Sequence, residues 1–114
     1  MQQNSTNETY YIYVIDLDKS VWVNEKKFRD NNPQYILGKP TVYVGQTAHT
    51  PKKRFEQHKK GGKLSNKYVK KYGKYIKQKN IPDKNPHSSR LEVENQEEEV
   101  AKILKKRGWA VWWN

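Results

Sequence analysis

Aromatic and β-branched residues crowd Tyr10 to Leu17, reading YYIYVIDL, and favour a strand. Thr41 to Val44 predicts a second, shorter strand closed by Gly45. The stretch between them, Asp18 to Pro40, is far longer than an ordinary hairpin loop of about 2–5 residues. It carries Trp22, Val23, Phe28, Tyr35, Ile36 and Leu37, so it is expected to pack against the body of the protein. Thr50-Pro51 has the chemistry of a helix start, a hydroxyl acceptor followed by a residue whose missing N–H costs nothing there. That helix is predicted to run to about Lys60 and to stop at Gly61-Gly62. Ser65 is expected to open a short helix with Tyr68, Val69 and Tyr72 on one side and Gly73 as its stop. Tyr75-Ile76 reads as a weak third strand, and Pro82 to Pro86 as a loop. Ser89-Arg90-Leu91-Glu92 has capping-box spacing and opens the longest helix, with Lys105, Lys106 and Arg107 in its last turn and Gly108 after it. Trp109 to Trp113 predicts a final strand.

The order β, β, α, α, β, α, β makes an α+β layer pair. No internal repeat or low-complexity linker divides it. The 114 residues suffice for one compact domain, expected over 10–114, with 18–40 as an insertion between the first two strands and 1–9 as a flexible N-terminus.

Composition narrows the function. Cysteine is absent, which excludes disulfides and thiolate metal sites. No apolar run is long enough to span a bilayer, and the polar start lacks the parts of a signal peptide. A soluble, cytoplasmic protein with no membrane partner is therefore expected. The net charge is +11, and its placement matters more than its size. Residues 51–79 hold twelve Lys or Arg and one acid, Glu56, whereas the rest of the chain carries eleven of each sign. Polyphosphate best rewards such a segment, because each neutralised phosphate releases condensed counterions. Lys52, Lys53, Lys59, Lys60, Lys63, Lys67, Lys70 and Lys71 are the candidate nucleic-acid contacts. The competing reading is a solvated face.

Two constellations look chemical. Arg54 and His58, four residues apart, share a helix face shortly after Tyr43-Val44-Gly45. Glu97 falls on the apolar stripe of the long helix, four residues after Val93, three before Val100 and seven before Leu104. A carboxylate there calls for a salt bridge or a metal, since burying it bare is expensive. Glu94 faces roughly the same way and is the alternative ligand. Glu98 and Glu99 read as solvated surface.

These residues resemble the GIY-YIG nuclease family. Tyr11-Ile12-Tyr13-Val14-Ile15 is similar to its first strand, and Val42-Tyr43-Val44-Gly45-Gln46-Thr47 to its second strand and turn. Residues 52–58, reading KKRFEQH, resemble the helix with the family's essential Arg; Asn66 to Gly73 resembles the helix after it. Glu97 resembles the metal-binding Glu of the last long helix. The resemblance spans Tyr10 to about Trp112. The sequence departs from the pattern at Tyr11, where the family has Gly, by one extra residue near His49-Thr50, in the long 18–40 segment and at its Trp-rich end. The resemblance implies a small central antiparallel sheet flanked by helices. It also implies phosphodiester hydrolysis, with DNA the expected substrate, by Tyr13, Tyr43, Arg54, His58 and Glu97. Glu97 would hold one Mg²⁺ or Mn²⁺, Tyr43 would act on or place the attacking water, Arg54 would meet charge on the phosphate, and Tyr13 and His58 would assist. An inactive nucleic-acid-binding module and an RNA-directed nuclease are the alternatives. Trp109, Trp112 and Trp113 form a candidate anchor for a protein partner or self-association.

Overall fold

The chain folds as β1 (Tyr11–Leu17), α1 (Ser20–Asn24), α2 (Lys26–Asp30), β2 (Thr41–Thr47), α3 (Pro51–Lys60), α4 (Lys67–Tyr72), β3 (Gly73–Ile76), α5 (Arg90–Lys106) and β4 (Ala110–Trp113). The computed structural model describes residues 9–63, 65–83 and 85–113. The N-terminus expected to be flexible therefore lies, apart from Thr9, outside the described residues. Among those described, no helix is long and apolar enough to cross a membrane.

The fold is α+β, built on one four-stranded sheet in the order β3-β1-β2-β4. β1 pairs antiparallel with β2, Val14 opposite Val44 and Tyr13 opposite Gly45. It pairs antiparallel with β3 on its other side. β4, however, runs parallel to β2, with Val42 opposite Val111 and Val44 opposite Trp113. The sheet is mixed, which corrects the expectation of an antiparallel one. Connectivity explains the difference. Between β2 and β4 the chain makes three helices and a strand, and such a crossover delivers the next strand in the same direction, as a tight hairpin cannot.

Strand alternation divides the core in two. Ile12, Val14, Val42 and Val44 meet Val93, Val100, Ala101 and Leu104 of α5 on one face. Tyr13, Ile15, Leu17 and Tyr43 meet Val21, Phe28, Tyr68, Val69 and Tyr72 on the other. The C-terminal tryptophans are split accordingly. Trp109 belongs to the α5 side, whereas Trp112 packs edge-on against Tyr68 at 5.0 Å and stacks on Phe28 at 6.5 Å. All three candidate interface anchors are thus engaged in packing, Trp113 against the α5 side.

The segment 18–40 is built into the body. Val21 and Phe28 of its two short helices are fully buried. Asn32, also buried, donates to the Phe28 carbonyl at 2.9 Å and accepts the Val111 N–H at 2.7 Å. Gln34 donates to the Trp109 carbonyl at 2.9 Å. Val23, Ile36 and Leu37, expected to pack inward, are exposed instead. The segment tethers the start of β4 and is not an appendage that a short turn could replace.

Helix ends follow local chemistry with two exceptions. The Thr50 hydroxyl accepts the Lys53 N–H at 3.2 Å, and Gly61 closes α3 at φ +80°, a left-handed conformation that suits glycine. The start of α4 is capped by Asn66, not Ser65. The Asn66 side-chain Oδ1 accepts the N–H groups of Tyr68 and Val69 at 2.9 and 3.1 Å, and the Ser65 hydroxyl donates to the Gly62 carbonyl at 2.7 Å. Gly73 does not end the helix in a left-handed turn either; its φ is −63° and it begins β3. Ser89 caps α5 as expected, accepting the Glu92 N–H at 3.1 Å, while the Glu92 carboxylate accepts the Ser88 N–H at 3.0 Å.

Candidate active-site cleft

β2 extends past its pairing with β4, through Gly45 to Thr47. Beside this stretch opens a cleft of about 590 Å³ lined by Tyr13, Tyr43, Gln46, Arg54, Glu94, Asn95, Glu97, Glu98 and Trp113. Residues from both faces of the sheet meet there. Tyr13 and Tyr43 come from β1 and β2, Arg54 from the α3 side and Glu97 from α5. Four of the five candidate catalytic residues thus line one cleft, and the fifth, His58, is fully buried behind Tyr13.

Gly45 makes the arrangement of the tyrosines possible. The Tyr13 ring lies across it, and a Cβ at this position would collide with the Tyr13 hydroxyl and approach the Tyr43 ring to 2.9 Å. The glycine thus accommodates an aromatic ring, where the sequence suggested close approach of a ligand. Gly45→Ala is expected to displace the Tyr13 ring at a cost of about 1–3 kcal/mol in folding stability. Thermal denaturation checks this, and an unchanged melting temperature would contradict the packing described.

Behind the cleft, the Tyr13 hydroxyl and His58 Nε2 lie 2.8 Å apart. The Asn66 backbone N–H donates to His58 Nδ1, also at 2.8 Å. Burial, then the neighbouring Arg54 charge, pushes the His58 imidazole down to about 4, so it is neutral at pH 7. Burial and the adjacent Tyr43 hold the Tyr13 phenol well above the usual tyrosine range, against a smaller opposing effect of Arg54. Arg54 donates to the Gln57 side chain at 3.2 Å.

Glu97 sits where the helical stripe placed it, 8 % exposed among Val93, Val100 and Ala101. Burial, with the Glu94 charge nearby, pushes its carboxyl up to about 7. Among the described residues no hydrogen bond or ion pair meets this carboxylate. Glu94, expected to face roughly the same way as Glu97, is exposed and lines the same cleft. Glu98 is exposed, as its place off the stripe implied; it pairs with Lys102 at 2.6 Å and also borders the cleft.

Three carboxylates facing one cleft repel one another and any phosphate, which favours a cation among them. When ionised, Glu97 is an acceptor-only group that no donor meets among the described residues, and hard divalent cations bind through one or two carboxylates with water and substrate oxygens completing the shell. The donors present fit Mg²⁺ or Mn²⁺ held by Glu97. No cluster of three or more His, Asp or Glu side chains placed to hold a metal occurs among the described residues, so such a site would be an open one.

The eight candidate nucleic-acid lysines are all exposed. Lys59 also supports the fold, donating to the carbonyls of Lys70 and Gly73 at 3.2 and 3.0 Å. Lys71 forms an ion pair with Glu25 at 3.8 Å. A second groove, of about 400 Å³, is lined by Arg54, Gln57, Lys60, Gly62, Lys63 and Ser65. Arg54 thus borders both the acidic cleft and a basic groove. Sequence reasoning did not single out Gln46, Asn95 or the Asn66 amide. Asn66 carried a signal, a capping residue just before Lys67, which Ser65 obscured. Compared with known protein families, with curated proteins and with solved structures, the chain finds no match.

Proposed function

We propose that this protein is a cation-dependent endonuclease of GIY-YIG type that hydrolyses phosphodiester bonds in DNA. The observation that carries the reading is the meeting of Tyr13, Tyr43, Arg54 and Glu97 in one polar cleft beside a basic groove. A scissile phosphate would lie at Arg54, whose guanidinium meets charge that develops on the phosphate oxygens. A divalent cation held by Glu97 would polarise the phosphate and offset charge on the leaving oxygen. Water placed beside Tyr43 attacks phosphorus and the bond to the leaving oxygen breaks; the proton the water gives up passes to solvent, and the leaving oxygen takes one from solvent. Tyr13 keeps Tyr43 in place.

The exposed lysines of α3, α4 and the loop between them would track neighbouring phosphates. If about five of them do so on duplex DNA, the logarithm of the binding constant should fall linearly with log salt at a slope of roughly −4 to −5. Titrations at several salt concentrations read the slope, and a value near zero would reduce the segment to a solvated face. The activity is tested by incubating the protein with duplex, branched and single-stranded DNA and with RNA in Mg²⁺. Cleavage of DNA supports the reading. Binding of DNA without cleavage would indicate a binding module, and cleavage confined to RNA would replace the substrate.

A further inference from the structure

The contact between Tyr13 and His58 could run in either direction, and a histidine at an active site invites the role of proton carrier. The other side of the ring decides between the two. A backbone N–H can donate and cannot accept, so the 2.8 Å contact from Asn66 leaves His58 Nδ1 as the acceptor, without a hydrogen. The hydrogen of the neutral ring is then on Nε2, and the Tyr13 oxygen, 2.8 Å away, accepts it. Tyr13 is left to turn its own hydrogen away from His58, and its ring packs beside that of Tyr43 at 6.1 Å between centres. The result is a chain of hydrogen bonds with one direction, from the start of α4 through His58 to Tyr13, which packs beside Tyr43 on the cleft.

We propose that His58 is a positioning residue, a fixed N–H donor that holds Tyr13 and through it Tyr43, and that it carries no proton to or from the reacting groups. The proposal rests on reading the cleft as a phosphodiesterase site. To take up a proton, His58 would have to bind it at Nδ1, where the Asn66 amide already points a hydrogen. That amide cannot easily withdraw, because the Asn66 side chain caps α4 through the N–H groups of Tyr68 and Val69. Of the groups facing the ring, the cationic Arg54 on α3 opposes protonation as well. The phenols of Tyr13 and Tyr43 from the sheet, at ring-centre distances of 6.0 and 5.5 Å, are neutral, and no carboxylate faces the ring among the described residues. Full burial removes the water that would otherwise stabilise an imidazolium.

Two measurements test this. Nitrogen-15 NMR of the full chain, with the His58 signals assigned by their loss in His58→Gln, should show Nδ1 unprotonated and Nε2 protonated throughout pH 5–8. A ring protonated on Nδ1, or one titrating within that range, overturns the proposal whether or not the protein cuts DNA. Cleavage is then compared for His58→Gln, which keeps a donor but cannot titrate, and His58→Leu, which keeps none. A group that transfers a proton contributes about 10²–10⁴-fold, and either substitution would then forfeit it. The expected result is rescue: the Leu variant loses most of its rate, while the Gln variant stays within about 10-fold of wild type and retains its pH–rate profile, far short of a proton carrier's loss. Equal, large losses in two folded variants, or a limb missing from the Gln profile, would contradict it. A wild-type protein that cuts nothing would sink the nuclease reading and leave the NMR result to decide the tautomer.

Discussion

Glu97→Gln is expected to eliminate cation-stimulated cleavage while preserving the fold. The substitution keeps the shape of the side chain and removes a buried charge on the cleft that can bind a hard cation. It should also change stability in a direction that a purely structural glutamate would not. Below the ordinary carboxylate range, near 4.5, Glu97 is protonated in both the folded and unfolded states. Between there and about 7 the unfolded chain ionises while the folded one keeps its proton, so the wild type loses stability as pH rises. Above about 7 the penalty is complete. Without added metal, Glu97→Gln should therefore melt above the wild type at pH 8, with the gap closing toward pH 5. Mg²⁺ or Mn²⁺ should raise the wild-type melting temperature at pH 8 and leave that of the variant unchanged. Glu99→Gln is the proper control, since Glu98 borders the cleft. If Glu94→Gln is inactive and Glu97→Gln is not, the ligand lies one helical turn earlier and the buried carboxylate needs another explanation.

Arg54→Ala carries the second large effect. Arg54 stands at the junction of the acidic cleft and the basic groove, where a phosphate would leave one environment for the other. Losing a preorganised donor aimed at developing charge costs about 10²–10³ in kcat. Binding should weaken far less, because Arg54 is one cation beside many exposed lysines and each phosphate contact contributes a modest share of the affinity. Single-turnover cleavage and fluorescence anisotropy separate the two quantities. Arg54→Lys should recover only part of the rate, since an ammonium keeps the charge but not the fork of donors. Cleavage by Arg54→Ala at near wild-type rate would remove the residue from the mechanism.

Much of the arrangement is local chemistry and can be read from the chain. The Thr50-Pro51 start of α3, its stop at Gly61 and the Ser89 cap of α5 depend on neighbouring residues alone. The inward direction of Glu97 follows from helical spacing, because α5 is amphipathic and packs on the sheet along a single stripe. Arg54 and His58 come together for the same reason. What spacing could not supply is the behaviour of segments whose partners lie far away. The parallel pairing of β4 depends on where α5 returns the chain, not on residues 110–113 themselves. Val23, Ile36 and Leu37 are apolar yet exposed, since Val21 and Phe28 already fill the space beneath the 18–40 segment. The role of the Asn66 amide needed the contact between α3 and α4, eight residues apart in sequence at His58 and Asn66. Glu98 is reached by the cleft despite lying off the apolar stripe, because the cleft spans more of α5 than the buried face does.

The central claim is that the cleft hydrolyses phosphodiesters with the help of a divalent cation. It is tested most directly by incubating the purified wild-type chain with labelled DNA in chelator, then adding Mg²⁺ in excess. The account predicts intact DNA in chelator and cleaved strands once Mg²⁺ is present. DNA that is bound yet stays intact in both Mg²⁺ and Mn²⁺, across duplex, branched and single-stranded forms, would contradict it.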